Sequence, residues 1–332
     1  MVLVTGGTGM LGAHVLFECV KKNPTVAIYR KIRSIKKVEN LFKKLAPNNP
    51  EYFKSIIWKQ AELNDINALN EAFNGIDFVY HCAAKVSFTE SHLKKLIKTN
   101  VEGTANIVNI AIKNKVKKLA YVSSISAIGA DTQINKVNED HSWSNSNNHS
   151  AYARSKYGAE LEVWRASQEG LSVVIINPGV ILGSFFGDRS SGMIIKRVAK
   201  GLIFYPTGNI SVVDLEDVVS VLINLMESKI KNERFILVSE NLSQKELVQK
   251  IAIKLNRKLP KIALRKWILI LIYITERVFN LFILKKNLLS IPVIESLCSL
   301  QYYDGSKINS YMNFSYCNID NTLKKISDNY DY

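Results

Sequence analysis

Two side chains with complementary chemistry, Tyr152 and Lys156, lie four residues apart in the segment Tyr-Ala-Arg-Ser-Lys. On a helix, residues four apart face the same way, so the phenol and the ammonium are expected to lie together. A phenol has a pKa of about 10, and a neighbouring ammonium stabilises the phenolate and eases proton exchange near neutral pH. The pair is therefore a candidate proton donor with its activator, although the same spacing occurs by chance on many helices.

A second candidate site is a glycine-rich loop, Thr-Gly-Gly-Thr-Gly-Met-Leu-Gly, at residues 5–12. It follows a short apolar strand and precedes an amphipathic helix, so its free N–H groups and the positive helix end favour a phosphate. Glycine is needed where a Cβ would block the turn or the approach of a pyrophosphate. The loop therefore predicts dinucleotide binding, against the alternative of an ordinary strand-to-helix turn. Two sets of glycines have suitable spacing: Gly6, Gly9 and Gly12, or Gly7, Gly9 and Gly12.

The second predicted strand ends at Arg30, where a dinucleotide fold meets the adenosine ribose. An acidic residue at this point accepts the 2′-hydroxyl of NAD, whereas arginine suits the extra phosphate of NADP. No Asp or Glu occurs between Glu18 and Glu39. We therefore predict NADP(H) as the preferred cofactor and NAD(H) as the alternative, with Arg30 binding the phosphate and Lys31 or Arg33 in support.

Short apolar strands alternate with helical segments through the first part of the chain. This order predicts an α/β protein, a Rossmann doubly wound parallel sheet with helices on both faces. Residues 1–183, with 211–241 returning to them, form the predicted NAD(P)-binding domain. Residues 184–210 and 242–332 form a smaller, mainly helical substrate-binding region. A polar loop at 131–150 is long enough to be a lid or substrate loop.

Composition limits the classes of partner. With 332 residues and 47% hydrophobic content, the chain can bury a large core. The net charge of +15 comes from lysines scattered in short runs, which is typical of a solvated surface and not of a nucleic-acid site, although it favours anionic ligands. Four dispersed cysteines without a histidine at ligand spacing indicate a reduced compartment and no metal. We therefore predict a cytoplasmic protein.

Residues 267–284 form one long apolar segment, Trp-Ile-Leu-Ile-Leu-Ile-Tyr-Ile-Thr-Glu-Arg-Val-Phe-Asn-Leu-Phe-Ile-Leu. Glu276 and Arg277 lie in its middle, and each charge at a bilayer centre would cost roughly 2.5–3.5 kcal/mol. The segment therefore predicts a buried or surface-docking amphipathic helix and no transmembrane span. Peripheral membrane contact through Trp267 and its apolar neighbours stays open.

A series of motifs in order resembles the extended short-chain dehydrogenase/reductase family, within the NAD(P)-dependent epimerase/dehydratase superfamily. The closest resemblance is to its dihydroflavonol 4-reductase-like and 3β-hydroxysteroid dehydrogenase-like branch, and it covers nearly the whole chain. The motifs span residues 5–12, 80–84 (Tyr-His-Cys-Ala-Ala), 100–104 (Asn-Val-Glu-Gly-Thr), 122–129 (Val-Ser-Ser-Ile-Ser-Ala-Ile-Gly), 152–156, 177–183 (Asn-Pro-Gly-Val-Ile-Leu-Gly), 213–218 (Val-Asp-Leu-Glu-Asp-Val) and 303–307 (Tyr-Asp-Gly-Ser-Lys).

The resemblance implies a catalytic role for each of four residues. Ser124 would hydrogen-bond the substrate carbonyl, with Ser123 as the competitor for that position. Tyr152 would be the general acid in reduction and the general base in oxidation. Lys156 would hold the nicotinamide ribose hydroxyls and lower the pKa of the tyrosine. Asn100 would position a backbone carbonyl or a water molecule for proton relay.

The resemblance also implies a set of cofactor contacts. Pro178 and Val180 would meet the nicotinamide carboxamide, and Leu63, Ala83 and Ala84 would flank the adenine half. The complete predicted set is Thr5, Gly6, Gly9, Met10, Leu11, Gly12, Arg30, Leu63, Ala83, Ala84, Lys85, Tyr152, Lys156, Pro178 and Val180.

The expected function is an NADP-dependent oxidoreductase that reduces a ketone or aldehyde, or oxidises the secondary alcohol, of a small molecule. The alternatives are a nucleotide-sugar epimerase, which uses the same site without net cofactor turnover, and an NADP-binding regulatory protein. Lys85, Phe88, Phe185 and Phe186 are expected to line the substrate pocket. Relatives of this kind imply a homodimer through the two long helices, which are predicted over about 93–114 and 151–168 in this chain.

Overall fold

The structure of the chain is a computed structural model. Within the described residues, no helix is both long enough and apolar enough to cross a membrane. The predicted pocket residues Phe185 and Phe186 lie outside the described part of the chain, as do residues 130–133 and 145–148 in and beside the polar loop. The described residues are 1–129, 134–144, 149–184, 192–280 and 289–330.

Fourteen short strands lie in the described residues. In chain order they are β1 (Val2–Thr5), β2 (Thr25–Tyr29), β3 (Ile57–Gln60), β4 (Phe78–His81), β5 (Lys118–Val122), β6 (Lys136–Val137), β7 (Ser172–Pro178), β8 (Val180–Leu182), β9 (Phe204–Pro206), β10 (Asn209–Asp214), β11 (Glu233–Leu237), β12 (Glu240–Ser243), β13 (Ile262–Leu264) and β14 (Tyr302–Tyr303).

Helices connect these strands. They are α1 (Met10–Val20), α2 (Ile35–Leu45), α3 (Glu51–Lys54), α4 (Ile66–Ala72), α5 (Leu93–Leu96), α6 (Gly103–Lys113), α7 (Ala151–Gln168), α8 (Gly192–Ala199), α9 (Leu215–Glu227), α10 (Gln244–Lys254), α11 (Lys266–Asn280), α12 (Ile291–Cys298) and α13 (Ile319–Asp328). The helix predicted over about 93–114 is interrupted by a π-helical segment, Ile97–Glu102, between α5 and α6.

The central sheet has seven parallel strands in the order β3-β2-β1-β4-β5-β7-β11. The strand order reverses between β1 and β4, because the chain builds outward to β3 and then returns to the other side of β1. In open α/β sheets, ligands bind outside the carboxyl ends of the strands at such a reversal. The predicted fold class, a Rossmann doubly wound sheet, is confirmed.

Helices cover both faces of this sheet, so its strands are apolar on both sides. Successive strand residues point to opposite faces, and Leu3 and Val4 show this directly. Leu3 packs in the core beneath α4, α6 and α7, whereas Val4 packs in the core beneath α1 and α9; neither side chain is exposed to solvent. Burial on both faces holds the carboxyl ends of the strands, where the candidate residues lie, in a rigid frame.

The chain after β7 also contributes to a second, smaller group of strands and helices. Its three-stranded sheet has the order β12-β10-β8, and α8, α10 and α13 pack with that sheet around a separate apolar core. Two-stranded pairs, β13 with β9 and β14 with β6, complete the described strands. The described part of the polar loop contains the two-residue strand β6.

Candidate active site

The glycine-rich loop joins β1 to α1 through a turn in which Gly9 N–H donates to Gly6 O at 2.9 Å. Gly6 has φ +70°, and a Cβ there would lie 2.7 Å from Ala83 N; at Gly12 a Cβ would lie 2.2 Å from Gly6 O. A Cβ on Gly7 would make only ordinary contacts, the nearest at 3.4 Å. The steric requirement for glycine therefore falls on Gly6 and Gly12 and not on Gly7.

The N-terminus of α1 suits an anionic group. Its N-cap is Gly9, which has no side chain to accept the free N–H groups, and the first turn contains no acidic residue. The amides of Met10, Leu11 and Gly12 have no carbonyl one turn earlier within the helix to bind. With the positive end of the helix dipole, these amides form a cradle of the kind that binds a dinucleotide pyrophosphate.

The other predicted cofactor residues lie at the same edge of the sheet. Arg30 is exposed directly after β2. Leu63 follows β3 and packs so tightly on α6 that a Cβ at Gly103 would lie 2.7 Å from Leu63 Cβ. Their contacts with a cofactor stay a prediction. The remaining positions follow β4 or flank the end of β7: Ala83, Ala84, Lys85, Pro178 and Val180.

Tyr152 lies in the first turn of α7, close to the side chain of Ser124, which follows β5. Burial raises the pKa of Tyr152 to about 12, and the nearby Ser124 hydroxyl opposes this shift. Ser123 instead donates to Glu160 Oε2 at 2.6 Å and is buried. The structure thus brings Ser124, and not Ser123, to the tyrosine.

Lys156 lies one turn behind Tyr152 and is 1% exposed. Its Nζ donates to Tyr121 Oη at 2.7 Å and to Val122 O at 2.8 Å. Burial lowers the pKa of this lysine to about 7. The expected lowering of the Tyr152 pKa by Lys156 is not seen in this structure, because the ammonium is directed at strand β5 and burial dominates the phenol.

Asn100 is buried in the π-helical segment and connects two parts of the site. Its Oδ1 accepts from Lys85 N at 2.7 Å, and its Nδ2 donates to Lys85 O at 3.0 Å and to Ser155 Oγ at 2.9 Å. The amide thereby fixes the segment after β4 against α7. Single π-helical turns are frequent at functional sites, where they redirect a side chain. A water relay through Asn100 stays a prediction.

His81 forms a buried connection that the sequence analysis missed. One ring nitrogen contacts Thr5 Oγ1 at 2.7 Å, and the other contacts Thr104 Oγ1 at 2.9 Å. The ring stacks on Tyr121 at 5.4 Å, next to Lys156. Burial lowers the pKa of His81 to about 3, so the imidazole is neutral. The available signal was the histidine in the motif at 80–84, for which the sequence alone offered no partner.

We expect His81 to make the protein sensitive to acid. Its pKa is about 3 when folded and about 6.5 when unfolded, so the unfolded state binds more protons between these values. Unfolding is therefore favoured as the pH falls from about 6.5 towards 3, by up to about 1.4 kcal/mol per unit. Urea unfolding of the wild type and His81→Asn across this range measures the effect. The stability difference between them should shrink as the pH falls, and a constant difference would contradict the assignment.

A second network missed from the sequence centres on Glu160, which is 3% exposed. Besides Ser123, this carboxylate accepts from Asn177 Nδ2 at 2.8 Å and from Arg234 Nη1 at 3.3 Å. Arg234 also donates through Nε to Glu139 O at 2.9 Å. Buried charges require paired partners of this kind. The network connects α7, and hence Tyr152, to β7, β11 and the described part of the polar loop.

Aromatic side chains pack around the first turns of α7, which carry Tyr152. Phe88 is 53% exposed and meets the Tyr152 ring edge-on, with centroids 5.6 Å apart. Trp143 stacks on Tyr157 at 4.2 Å. A Cβ at Gly129, which has φ +55°, would lie 2.3 Å from the Trp143 ring. This part of the polar loop is therefore packed against α7.

The model of the NAD dependent epimerase/dehydratase family matches residues 2–237, from β1 through β11. The chain belongs to this family. Membership confirms the resemblance to extended short-chain dehydrogenases/reductases, and the protein is an NAD(P)-dependent oxidoreductase of that type. The residues present fit a dinucleotide, because glycine at positions 6 and 12 allows the close contacts of the turn and the N-terminus of α1 presents amides without a side-chain cap. Within the described residues, no cluster of His, Cys, Asp and Glu could hold a metal ion.

Relatives of this family member include several reductases. A putative dihydroflavonol 4-reductase from Synechocystis sp. is 29% identical over 313 residues, covering 92% of this chain and 87% of that protein. Tetraketide alpha-pyrone reductase 2 from Arabidopsis thaliana is 29% identical and covers 74% of this chain and 80% of its own. The solved structure of UDP-glucose 4-epimerase from Thermotoga maritima has a TM-score of 0.76 at 17% identity, covering 98% and 97%. That identity establishes the fold alone.

Proposed function

We propose that this family member is an NADP(H)-dependent reductase of a small apolar ketone or aldehyde, or a dehydrogenase of the corresponding alcohol. The observation that carries the proposal is the proximity of Ser124, which follows β5, to Tyr152 in the first turn of α7, at the carboxyl edge of the sheet. Lys156 is buried one turn behind this pair, and Phe88 lies beside it. The reductase names of several relatives support the same assignment.

Proton transfer in this proposal is the task of Tyr152. With its pKa raised to about 12, the phenol is protonated at neutral pH and is able to donate to a carbonyl oxygen. Ser124 hydrogen-bonds the same oxygen and stabilises the negative charge that develops on it. A bound nicotinamide supplies or accepts the hydride.

Lys156 has a positioning role in the proposal. In its protonated form the amino group carries three N–H donors, and within the described residues two of them are used by Tyr121 and Val122. The third is assigned to the nicotinamide ribose. The buried contacts from Lys156 through Tyr121 and His81 to Thr5 would then fix the position of the lysine relative to the glycine-rich loop.

Cofactor preference is proposed to depend on Arg30. Replacing it with alanine should weaken NADPH binding roughly ten- to a hundredfold, because a hydrogen bond to a charged group contributes about 1.5–3 kcal/mol. NADH binding should change little, and Lys113→Ala, which removes an exposed charge at the C-terminal end of α6, is the basic control. Fluorescence titration with both cofactors measures the preference. Equal losses for NADPH and NADH in Arg30→Ala would contradict the role of this residue.

The substrate class is tested by following NADPH absorbance with a panel of carbonyl compounds. The panel contains aldehydes, diketones, ketosteroids, dihydroflavonols and nucleotide sugars. Stoichiometric NADPH consumption with an apolar carbonyl is the expected result, since Phe88 lines the approach to Tyr152. Conversion of a nucleotide sugar to its epimer with NADPH unchanged would overturn the reductase proposal in favour of an epimerase.

A further inference from the structure

Exposed apolar side chains are concentrated in one stretch of the sequence. Of the twenty large apolar side chains that are exposed in the described residues, ten lie between positions 193 and 274. Surface hydrophobic residues scattered singly need no explanation, but a concentration of them marks an interaction site. The ten are Met193, Ile203, Phe204, Ile253, Leu259, Ile262, Trp267, Leu271, Ile272 and Ile274.

Two short strands bring part of this set together. Strands β9 and β13 pair with Phe204 opposite Ile262, and Lys261 N–H donates to Ile203 O at 3.0 Å. Ile203, Phe204 and Ile262 are 55%, 44% and 47% exposed. The two-stranded ribbon therefore presents a cluster of apolar side chains to solvent, and the chain continues from it directly into α11.

Helix α11 leaves an apolar face without cover in the described residues. Trp267, Leu271 and Ile274 have i, i+4, i+7 spacing, which places them on one face of a helix. They are 63%, 54% and 50% exposed, whereas Leu269, on the other side, is 4% exposed. An amphipathic helix normally buries such a face, and the described residues do not bury this one.

The charge around this face points to the occupant. Between Glu246 and Glu276 the sequence contains no acidic residue, and its basic residues from 257 onward are all exposed. A two-fold contact with a second copy would place these like charges against one another, which disfavours a dimer here. An anionic lipid surface offers both an apolar layer and complementary charge. The exposed basic residues are Arg257, Lys258, Lys261, Arg265 and Lys266.

We propose that α11 and the β9–β13 ribbon form a surface that docks on an anionic lipid bilayer. Trp267, Leu271 and Ile274 enter the interfacial layer, where tryptophan is favoured. The basic residues before and at the start of α11 contact the lipid headgroups. The helix lies in the plane of the membrane and does not cross it, consistent with the charges of Glu276 and Arg277 within the segment. This inference is independent of the proposed substrate.

The test is co-sedimentation of the full chain with lipid vesicles. We expect binding to phosphatidylcholine vesicles that contain phosphatidylglycerol, weaker binding to phosphatidylcholine alone, and loss of the difference at high salt. Arg265→Gln with Lys266→Gln should weaken binding to the anionic vesicles roughly 25-fold, at about 1 kcal/mol for each charge. Lys36→Gln with Lys43→Gln, on the exposed side of α2, is the matched charge control.

A second variant tests the apolar face: Trp267→Ser, Leu271→Ser and Ile274→Ser together should abolish binding to both vesicles. Ile32→Ser with Ile66→Ser is the control, because these side chains are exposed elsewhere in the fold. Circular dichroism and thermal unfolding establish that each variant is folded. Absence of wild-type binding, equal losses in the controls, or a dimer that only the triple substitution dissociates would each overturn the proposal.

Discussion

Replacing Tyr152 with phenylalanine should lower kcat by roughly 10²–10⁴-fold, the usual contribution of a positioned proton donor. The substitution removes one oxygen atom and keeps the ring that packs edge-on against Phe88. Ser124 keeps its orientation, because its Oγ also accepts from Ser126 N–H at 3.2 Å. The lost rate is therefore assigned to the missing phenolic proton and not to a collapsed site.

Cofactor affinity separates a chemical defect from a folding defect in this variant. The glycine-rich loop and Lys156 are untouched, so the dissociation constant for NADPH should change less than about threefold, which is under 1 kcal/mol. Tyr157→Phe is the matched control, since Tyr157 lies on the same helix and its ring remains able to stack on Trp143. Turnover in Tyr152→Phe equal to that of the control would remove Tyr152 from the mechanism.

Replacing Gly12 with alanine should produce the second large effect, a loss of cofactor binding. The new Cβ would lie 2.2 Å from Gly6 O and 3.1 Å from Gly7 N, so the turn and the first turn of α1 must move apart. Overpacking of this kind costs roughly 1–3 kcal/mol of stability. We also expect NADPH affinity to fall at least about tenfold, because displaced amides no longer converge on a phosphate.

Gly7→Ala provides the control within the same loop. A Cβ at Gly7 would lie 3.4 Å from Ala27 Cβ and 3.5 Å from Leu16 Cδ2, which are ordinary contacts. This variant should bind NADPH as the wild type does. Thermal unfolding and fluorescence titration on both variants measure the contrast. Equal cofactor affinity in Gly12→Ala and Gly7→Ala would contradict the steric assignment made from the structure.

Local signals in the sequence determined the fold class and the main candidate residues. The strand, glycine-rich loop and helix at the start of the chain are contiguous, and so are Tyr152 and Lys156 on one helix turn. Such features depend only on the backbone conformation of a few consecutive residues. The types and spacing of the side chains in that segment specify this conformation. The π-helical segment around Asn100 was not predicted, because the spacing of apolar residues on either side of it is that of an ordinary α-helix.

Tertiary structure alone decided the partners of these residues. His81 contacts Thr5 across 76 residues, and Lys156 contacts Tyr121 across 35. Arg234 contacts Glu160 across 74 residues. Glu160 also accepts the hydrogen bond of Ser123, and this contact distinguishes Ser123 from Ser124, the serine beside Tyr152. Each pairing depends on which strands become neighbours in the sheet, and that order follows from packing both faces of the sheet at once. Residue spacing fixed what chemistry each segment carries, whereas long-range packing fixed which side chains meet.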